Sequence, residues 1–170
     1  MHYQAALLSN LPMFAGFHPD AVQLIAFAGD QVGFARGSTI FEAGQKSDGG
    51  HLVLQGRIEL FQPHRLTAPA HTVEAGGLIG EVALITPTER PVWAVAATDC
   101  LTLKITRGTV WRVLHEFPDD AAALRNTLTR RLRERLCELA FQYRAECLPT
   151  IQALPLRAHG RKAGPILALL

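Results

Sequence analysis

Cysteine is scarce in this sequence, and the cysteines that occur form no motif. Cys100, Cys137 and Cys147 are odd in number and none of them lies in a Cys-x-x-Cys pair. A disulfide framework needs paired cysteines, and a thiolate zinc site needs closely spaced ones. The sequence supports neither, and we interpret the three residues as reduced, structural thiols.

Long apolar runs and a basic leader are also absent. No stretch reaches the roughly 18 apolar residues that a membrane-spanning helix needs, and Met1 to Gln4 lacks the basic start of a secretion signal. The net charge of +2 is too small to indicate a nucleic-acid partner by itself. We therefore expect a cytoplasmic protein with no membrane span.

Four segments are predicted along the 170 residues. Residues 1–30 form a helical lead-in, in which Pro19 suits a first helical turn. Residues 31–106 alternate apolar and polar positions in short runs separated by glycines, namely STIFEA, HLVLQ, RIELFQ, HTVEA, VWAVAA and LTLKI. This pattern is typical of short antiparallel strands joined by tight turns, so it predicts a small β-barrel or roll.

Residues 107–148 are predicted to be helical and residues 149–170 a tail. A short helix from residue 107 ends before Pro118, and Asp119 or Asp120 caps a long helix that continues to about Arg144. One face of the long helix is apolar at every third or fourth residue, in the series Leu124, Leu128, Leu132, Leu136, Leu139 and Tyr143.

The segment GGLIGEVALITPTERPVWAV, residues 76–95, places Glu81 directly after Gly80 and Arg90 nine residues later in an apolar setting. A buried charge is costly, so a chain usually pairs two such residues or arranges them around a ligand. One interpretation is a structural ion pair. The other is an anion site, with backbone amides, a guanidinium for phosphate oxygens and a carboxylate for a sugar hydroxyl. Residue types alone leave both open.

This segment resembles the phosphate-binding cassette of the cyclic-nucleotide-binding domain family. Upstream, ARGSTIFEAGQKSDGGHLVLQGRIELF is similar to the first strands of that family, with Gly37, Gly44 and Gly56 at the turns. The similarity runs from about Leu8 to Ala140. It implies a mainly β fold with flanking helices, a double-stranded β-helix or jelly-roll-like β-roll followed by a long C-terminal helix.

The resemblance also implies ligand contacts. Gly80 would allow close approach to the cyclic phosphate or ribose, Glu81 would accept the ribose 2′-hydroxyl, and Arg90 would pair with the phosphate. Ala83 and Leu84 would form the short cassette helix, although Leu84 suits the core better than a ligand contact. The implied contact set on the cassette is Gly80, Glu81, Val82, Ala83, Arg90, Pro91 and Val92.

Pro91 departs from the family pattern. The residue after the arginine normally donates a backbone N–H to the phosphate, and proline has none. The loss of one charge-assisted bond costs roughly 1.5 to 3 kcal/mol, or about ten- to a hundredfold in affinity. Pro91 therefore favours a weak, shifted or vestigial site.

The long helix supplies the base contact and the dimer interface in this family. By register from Pro118, Arg131 and Arg135 are the candidates for stacking on or hydrogen bonding to a purine. The competing interpretation is that RNTLTRRLRER is a solvated basic face. The apolar face resembles the seam along which two such helices pair.

Other effector classes lack their signatures. DNA-binding relatives carry a helix-turn-helix domain of some 60 residues after this helix, whereas only residues 150–170 follow Pro149. If the chain is complete, direct DNA binding is not expected. Iron–sulfur relatives carry an N-terminal cysteine cluster, which this sequence lacks. Haem held by a single histidine is left open, although the histidines are scattered. The absence of an HxH pair argues against the metal site of a cupin-type enzyme.

The sequence thus predicts a non-enzymatic sensor that binds a cyclic nucleotide, cyclic AMP in preference to cyclic GMP, without a metal. We expect a homodimer through the C-terminal helix that signals to an effector protein whose identity the sequence does not give. One alternative is a degenerate roll that dimerises or docks a partner without nucleotide. Another is the N-terminal part of a DNA-binding transcription regulator.

Overall fold

The computed structural model describes residues 2–64 and 67–134. The chain divides into two compact units, Met1–Thr129 and Arg130–Leu170, and the first unit carries the fold described here. Its helices are α1 (His2–Ser9), α2 (Pro19–Phe27), α3 (Arg107–Glu116) and α4, which begins at residue 118 and is helical to residue 134. A short 3₁₀ helix spans Glu81–Leu84.

Ten short strands lie between α2 and α3 in the described chain. They are β1 (Asp30–Phe34), β2 (Thr39–Phe41), β3 (Lys46–Ser47), β4 (Gly49–Gln55), β5 (Arg57–Phe61), β6 (His71–Glu74), β7 (Leu78–Ile79), β8 (Thr88–Glu89), β9 (Trp93–Ala96) and β10 (Cys100–Thr106). They pair antiparallel in the orders β1-β10-β4-β7 and β2-β9-β5-β6, with β3-β8 as a separate ribbon. The predicted β-roll with flanking helices is confirmed.

Each of the six alternating runs predicted from the sequence contains a strand. The three turn glycines named from the sequence, Gly37, Gly44 and Gly56, all have φ between 82° and 86°, which side chains other than glycine rarely adopt. Thr88 and Glu89 form a further short strand that pairs with Ser47 and Lys46, outside the six predicted runs. A two-residue strand has no periodicity to read, and only its tertiary partner reveals it.

The helix boundaries agree with the sequence at α2 and differ at α4. Pro19 opens α2, and the His18 ring accepts a hydrogen bond from the Asp20 amide. The predicted cap at Asp119 or Asp120 was wrong: α4 begins at Pro118, whose fixed φ suits a first helical position. The buried Asp120 carboxylate instead accepts a 2.9 Å bond from the His18 amide.

Two apolar clusters lie on opposite faces of β4. Leu52 belongs to the cluster that packs against the helices, and its neighbour Val53 belongs to the cluster inside the roll. Both side chains are fully buried, because successive side chains of a strand point to opposite faces. This doubly buried strand begins at Gly49, beside the cassette, so the core positions the site directly.

The apolar face of the long helix is buried at Leu124 and exposed at Leu132. Leu124 is buried in the first cluster and Leu128 packs against it, whereas Leu132 is 61% exposed. Leu136, Leu139 and Tyr143 lie outside the described residues, as do Cys137 and Cys147. Cys100 is a buried free thiol whose Sγ lies 3.2 Å from the carbonyl oxygen of Arg57 and 3.1 Å from that of Thr98, and either oxygen can accept its one hydrogen. None of the described helices is long and apolar enough to span a bilayer.

Candidate functional site

Gly80 sets the geometry of the cassette. It has φ 77° and ψ 30°, a left-handed conformation, and it precedes the 3₁₀ helix. A Cβ placed on Gly80 would overlap Nη1 of Arg90. Glycine is therefore required here both by the backbone and by the close approach of the arginine.

The backbone of Arg90 is clamped to the turn before β3. Its amide donates to the carbonyl oxygen of Gln45 at 2.9 Å, and its carbonyl accepts from the amide of Gly44 at 2.8 Å. These two bonds extend the β3–β8 ribbon by one step. They hold the residue before Pro91 in place independently of its side chain.

The side chain of Arg90 is buried although it carries a charge. The residue is 6% exposed. Nη2 donates to the Gly49 carbonyl oxygen at 2.7 Å, and the guanidinium carbon lies 4.1 Å from the centre of the Phe41 ring. Nη1 is buried and has no hydrogen-bond partner, which leaves a charged donor unsatisfied beside Gly80.

The structural ion pair suggested by the sequence does not form. The contacts that hold the described Arg90 guanidinium are made by Gly49 and Phe41, rather than by the Glu81 carboxylate. Burial lowers the pKa of Arg90, and the charge of Asp48 partly opposes this effect. A guanidinium nevertheless remains charged at neutral pH.

Asp48 and His51 interact electrostatically with this arginine, and Lys104 interacts with both of them. Lys104 and Asp48 form an ion pair at 3.2 Å. Burial acts to raise the pKa of Asp48, but the hydrogen bond and charge of Lys104, with the charge of Arg90, leave it below its ordinary value. Burial and the charges of Arg90 and Lys104 lower the pKa of His51 to about 4, so this histidine is neutral.

A cavity of about 510 Å³ opens in front of the arginine. The structure brings all seven cassette residues predicted from the sequence to its lining. They are Gly80, Glu81, Val82, Ala83, Arg90, Pro91 and Val92. Arg131 lies in α4 within the second compact unit, and Arg135 lies outside the described residues.

The other walls of the cavity were not identified from the sequence. Phe41, Leu60, His71 and Val73 line it, together with residues 77–79, 88 and 89. The alternation in RIELF and HTVE was a usable signal for Leu60 and Val73. His71 begins the predicted HTVEA run and is the first residue of β6. No sequence signal placed Phe41 under a guanidinium.

The arrangement suits an anion attached to a partly apolar body. Nη1 of Arg90 offers a charge-assisted donor in a protected position, where such a bond is stronger than in water. Mainly aliphatic side chains cover the remaining walls. Within the described chain no group of three or more His, Cys, Asp or Glu side chains could hold a metal ion.

Comparison with known families agrees with this geometry. The family model described as the cyclic nucleotide-binding domain matches residues 31–117. The chain belongs to this family. The domain thus covers every strand of the roll except the first residue of β1, and all of α3.

Individual relatives extend the match beyond the roll. The cyclic AMP receptor protein of Thermus thermophilus is 32% identical over 135 residues, which are 78% of this chain and 62% of that protein. A cAMP-dependent protein kinase regulatory subunit of Aspergillus fumigatus is 30% identical over 67% of this chain and 27% of its own length. This chain therefore spans less than two thirds of either relative.

A solved structure shows the same architecture. The N-terminal domain of a transcriptional regulator from Streptomyces coelicolor superposes with a TM-score of 0.70 at 28% identity. The superposition covers 76% of this chain and 94% of that domain. The β-roll with its flanking helices is thus also the architecture of the N-terminal domain of that regulator.

Proposed function

We propose that this chain is a regulatory sensor that binds a cyclic nucleotide in the cavity in front of Arg90. The observation that carries the proposal is the buried Nη1 of Arg90, which has no hydrogen-bond partner and lies against Gly80. An unsatisfied buried cationic donor costs several kcal/mol in general. A phosphate oxygen placed there removes that cost, so the site favours an anionic ligand.

The remaining cassette residues take roles around this contact. Glu81 accepts the ribose 2′-hydroxyl, and Val82, Ala83 and Val92 close around the sugar. The base then lies away from Arg90, where Arg131 or Arg135 of the C-terminal helix covers it. These roles agree with the cavity lining for the cassette residues, and the base contact of the two arginines remains a prediction.

Cyclic AMP is the preferred ligand in this proposal. Both curated relatives carry cyclic AMP in their names, one as a receptor and one as a kinase regulatory subunit. Both names describe regulation rather than catalysis, and we propose that this chain likewise binds its ligand without transforming it. No resident metal takes part.

The signal leaves the site through the helices. The ring N–H of Trp111 in α3 donates to the carbonyl oxygen of Ile85, directly after the cassette helix, at 3.1 Å. Movement of the cassette onto a ligand therefore acts on α3 and, beyond Phe117, on α4. We propose a population shift in which this helix, as the dimer interface over residues 119–146, changes what it presents to an effector protein.

Calorimetric titration tests the proposal directly. Wild-type protein is titrated with cyclic AMP and with cyclic GMP, and the titration is repeated with Arg90→Ala and with Arg112→Ala, an exposed arginine of α3 outside the cavity. We expect micromolar binding of cyclic AMP that Arg90→Ala abolishes and Arg112→Ala preserves. Absence of both heat and thermal stabilisation at millimolar nucleotide would overturn the sensor.

Pro91 supports a second candidate function. Because Pro91 has no N–H to donate to the phosphate, a roll that docks or dimerises without nucleotide is the alternative. This module would keep its oligomeric state and its partner contacts in Arg90→Ala. This alternative therefore predicts that the wild-type protein binds no cyclic nucleotide in any titration.

A further inference from the structure

His71 lies on the wall of the cavity farthest along the sheet from Arg90. It opens β6, the edge strand of the sheet with the order β2-β9-β5-β6. In the register of that sheet His71 is directly opposite Leu60 of β5. Directly opposed side chains share one face of a sheet, and both residues line the cavity.

The cavity wall runs across this sheet from one edge toward the other. Phe41 of β2 lies under the Arg90 guanidinium, Val92 directly precedes β9, Leu60 lies on β5 and His71 on β6. Neighbouring strands are about 4.8 Å apart, so roughly 14 Å separates β2 from β6. If a nucleotide places its phosphate at Arg90, this wall is a surface along which its base can extend.

His71 is also chemically distinct from its surroundings. The polar side chains that line the cavity otherwise belong to residues 76–95, the cassette segment; outside that segment the lining comprises Phe41, Leu60, His71 and Val73. His71 is solvent-exposed at the cavity wall. A neutral imidazole offers one donor and one acceptor.

We propose that His71 reads the base: its imidazole hydrogen bonds with the edge of the nucleobase whose phosphate is held by Arg90. The inference rests on the proposed function and adds a specificity-determining residue to it. Adenine and guanine both present donors and acceptors at their edges, and a group that pairs with them distinguishes a nucleotide from a cyclic phosphate lacking a base. Leu60 and Val73 then cover the base face.

The test compares ligands with and without a base. Adenosine 3′,5′-cyclic monophosphate and ribose 3′,5′-cyclic phosphate are titrated into the wild-type protein and into His71→Leu and His71→Gln. His115→Leu is the matched control, an exposed histidine outside this cavity. Melting temperatures of the unliganded variants show whether each one folds as the wild type does.

We expect His71 to interact with the base and with no other part of the ligand. His71→Leu weakens the affinity for the cyclic nucleotide by about five- to tenfold and changes the affinity for the base-free cyclic phosphate by less than about twofold. His71→Gln, which keeps a donor and an acceptor, restores nucleotide affinity to within about twofold of wild type. His115→Leu leaves both affinities unchanged.

Three results would overturn the inference while the sensor survives. In the first, His71→Leu weakens the affinity for both ligands equally. In the second, it weakens the affinity for neither ligand. In the third, His71→Gln binds the nucleotide as weakly as His71→Leu does. A wild-type protein that binds neither ligand would remove the proposed function and this inference together. The two failures are thus distinguished by the wild-type titration alone.

Discussion

Arg90 donates a 2.7 Å hydrogen bond from Nη2 to the carbonyl oxygen of Gly49, while its Nη1 remains without a partner. The same carbonyl oxygen also accepts from the Ser47 hydroxyl at 3.1 Å. One arm of the guanidinium is therefore bonded to the protein and the other is buried and unpaired. This asymmetry underlies the first prediction.

Replacing Arg90 with methionine separates binding from stability. The variant removes a poorly compensated buried charge, and Ser47 still satisfies the Gly49 carbonyl oxygen. We expect the unfolding free energy in urea to change by less than about 1 kcal/mol, while cyclic AMP affinity falls by at least about tenfold. A loss of stability of about 3 kcal/mol or more would show that Arg90 is mainly structural.

Gly80→Ala tests the contact between the cassette turn and the arginine. The added Cβ would overlap Nη1, and φ of 77° adds backbone strain of roughly 1 to 2 kcal/mol. Gly37→Ala is the matched control, because Gly37 has φ of 83° with nothing within 4 Å. Gly80→Ala should lose at least as much stability as Gly37→Ala, and only Gly80→Ala should lose ligand affinity, by more than about tenfold. Equal affinities in calorimetry would contradict the assigned contact.

Pro91→Ala restores a backbone N–H next to Arg90. If the phosphate lies at Nη1, the new charge-assisted bond should tighten cyclic AMP binding by about tenfold or more. Pro87→Ala, in the loop between the cassette helix and β8, supplies the control for loss of a proline. Unchanged affinity in Pro91→Ala would place the phosphate away from this amide.

His51 makes stability depend on pH. Burial, Arg90 and Lys104 lower its pKa from 6.5 to about 4, with Asp48 opposing. Between these values the unfolded chain binds a proton that the folded protein does not, so the unfolding free energy falls as pH falls. From pH 7 to pH 5 we expect a loss of about 2 kcal/mol from this group.

Urea unfolding at the two pH values measures the effect, with His51→Gln and His115→Gln compared against wild type. The difference between pH 7 and pH 5 should shrink in His51→Gln and persist in His115→Gln. The lowered pKa of Asp48 makes the unfolding free energy depend on pH mainly below the ordinary value of 3.8, outside the range from pH 7 to pH 5. An undiminished difference in His51→Gln would show that another group is responsible.

Leu132 tests the proposed dimer helix. Its side chain is 61% exposed although it continues the apolar series of Leu124 and Leu128. Leu132→Glu should shift sedimentation toward the monomer, by about tenfold or more in dissociation constant, whereas Asn126→Glu on the exposed side of α4 should not. A monomeric wild type, or a dimer unaffected by Leu132→Glu, would contradict the interface.

Much of the fold was predictable because local rules sufficed. The period-two runs located the longer strands, and the glycines at 37, 44 and 56 marked turns with positive φ. The short strands β3, β7 and β8 were not predictable, since two residues carry no period and their pairing depends on segments far along the chain. The start of α4 was mispredicted because two aspartates resembled caps, while Asp120 in fact bonds to His18.

The sequence by itself determined which residues the cassette contains, because glycine, glutamate and arginine at that spacing are carried by one contiguous segment. Only the tertiary structure decided that Arg90 is held by Gly49 rather than by Glu81, and that His71 and Phe41 share its cavity. These are contacts between distant strands. Their geometry is set by packing of the roll, which no local pattern encodes.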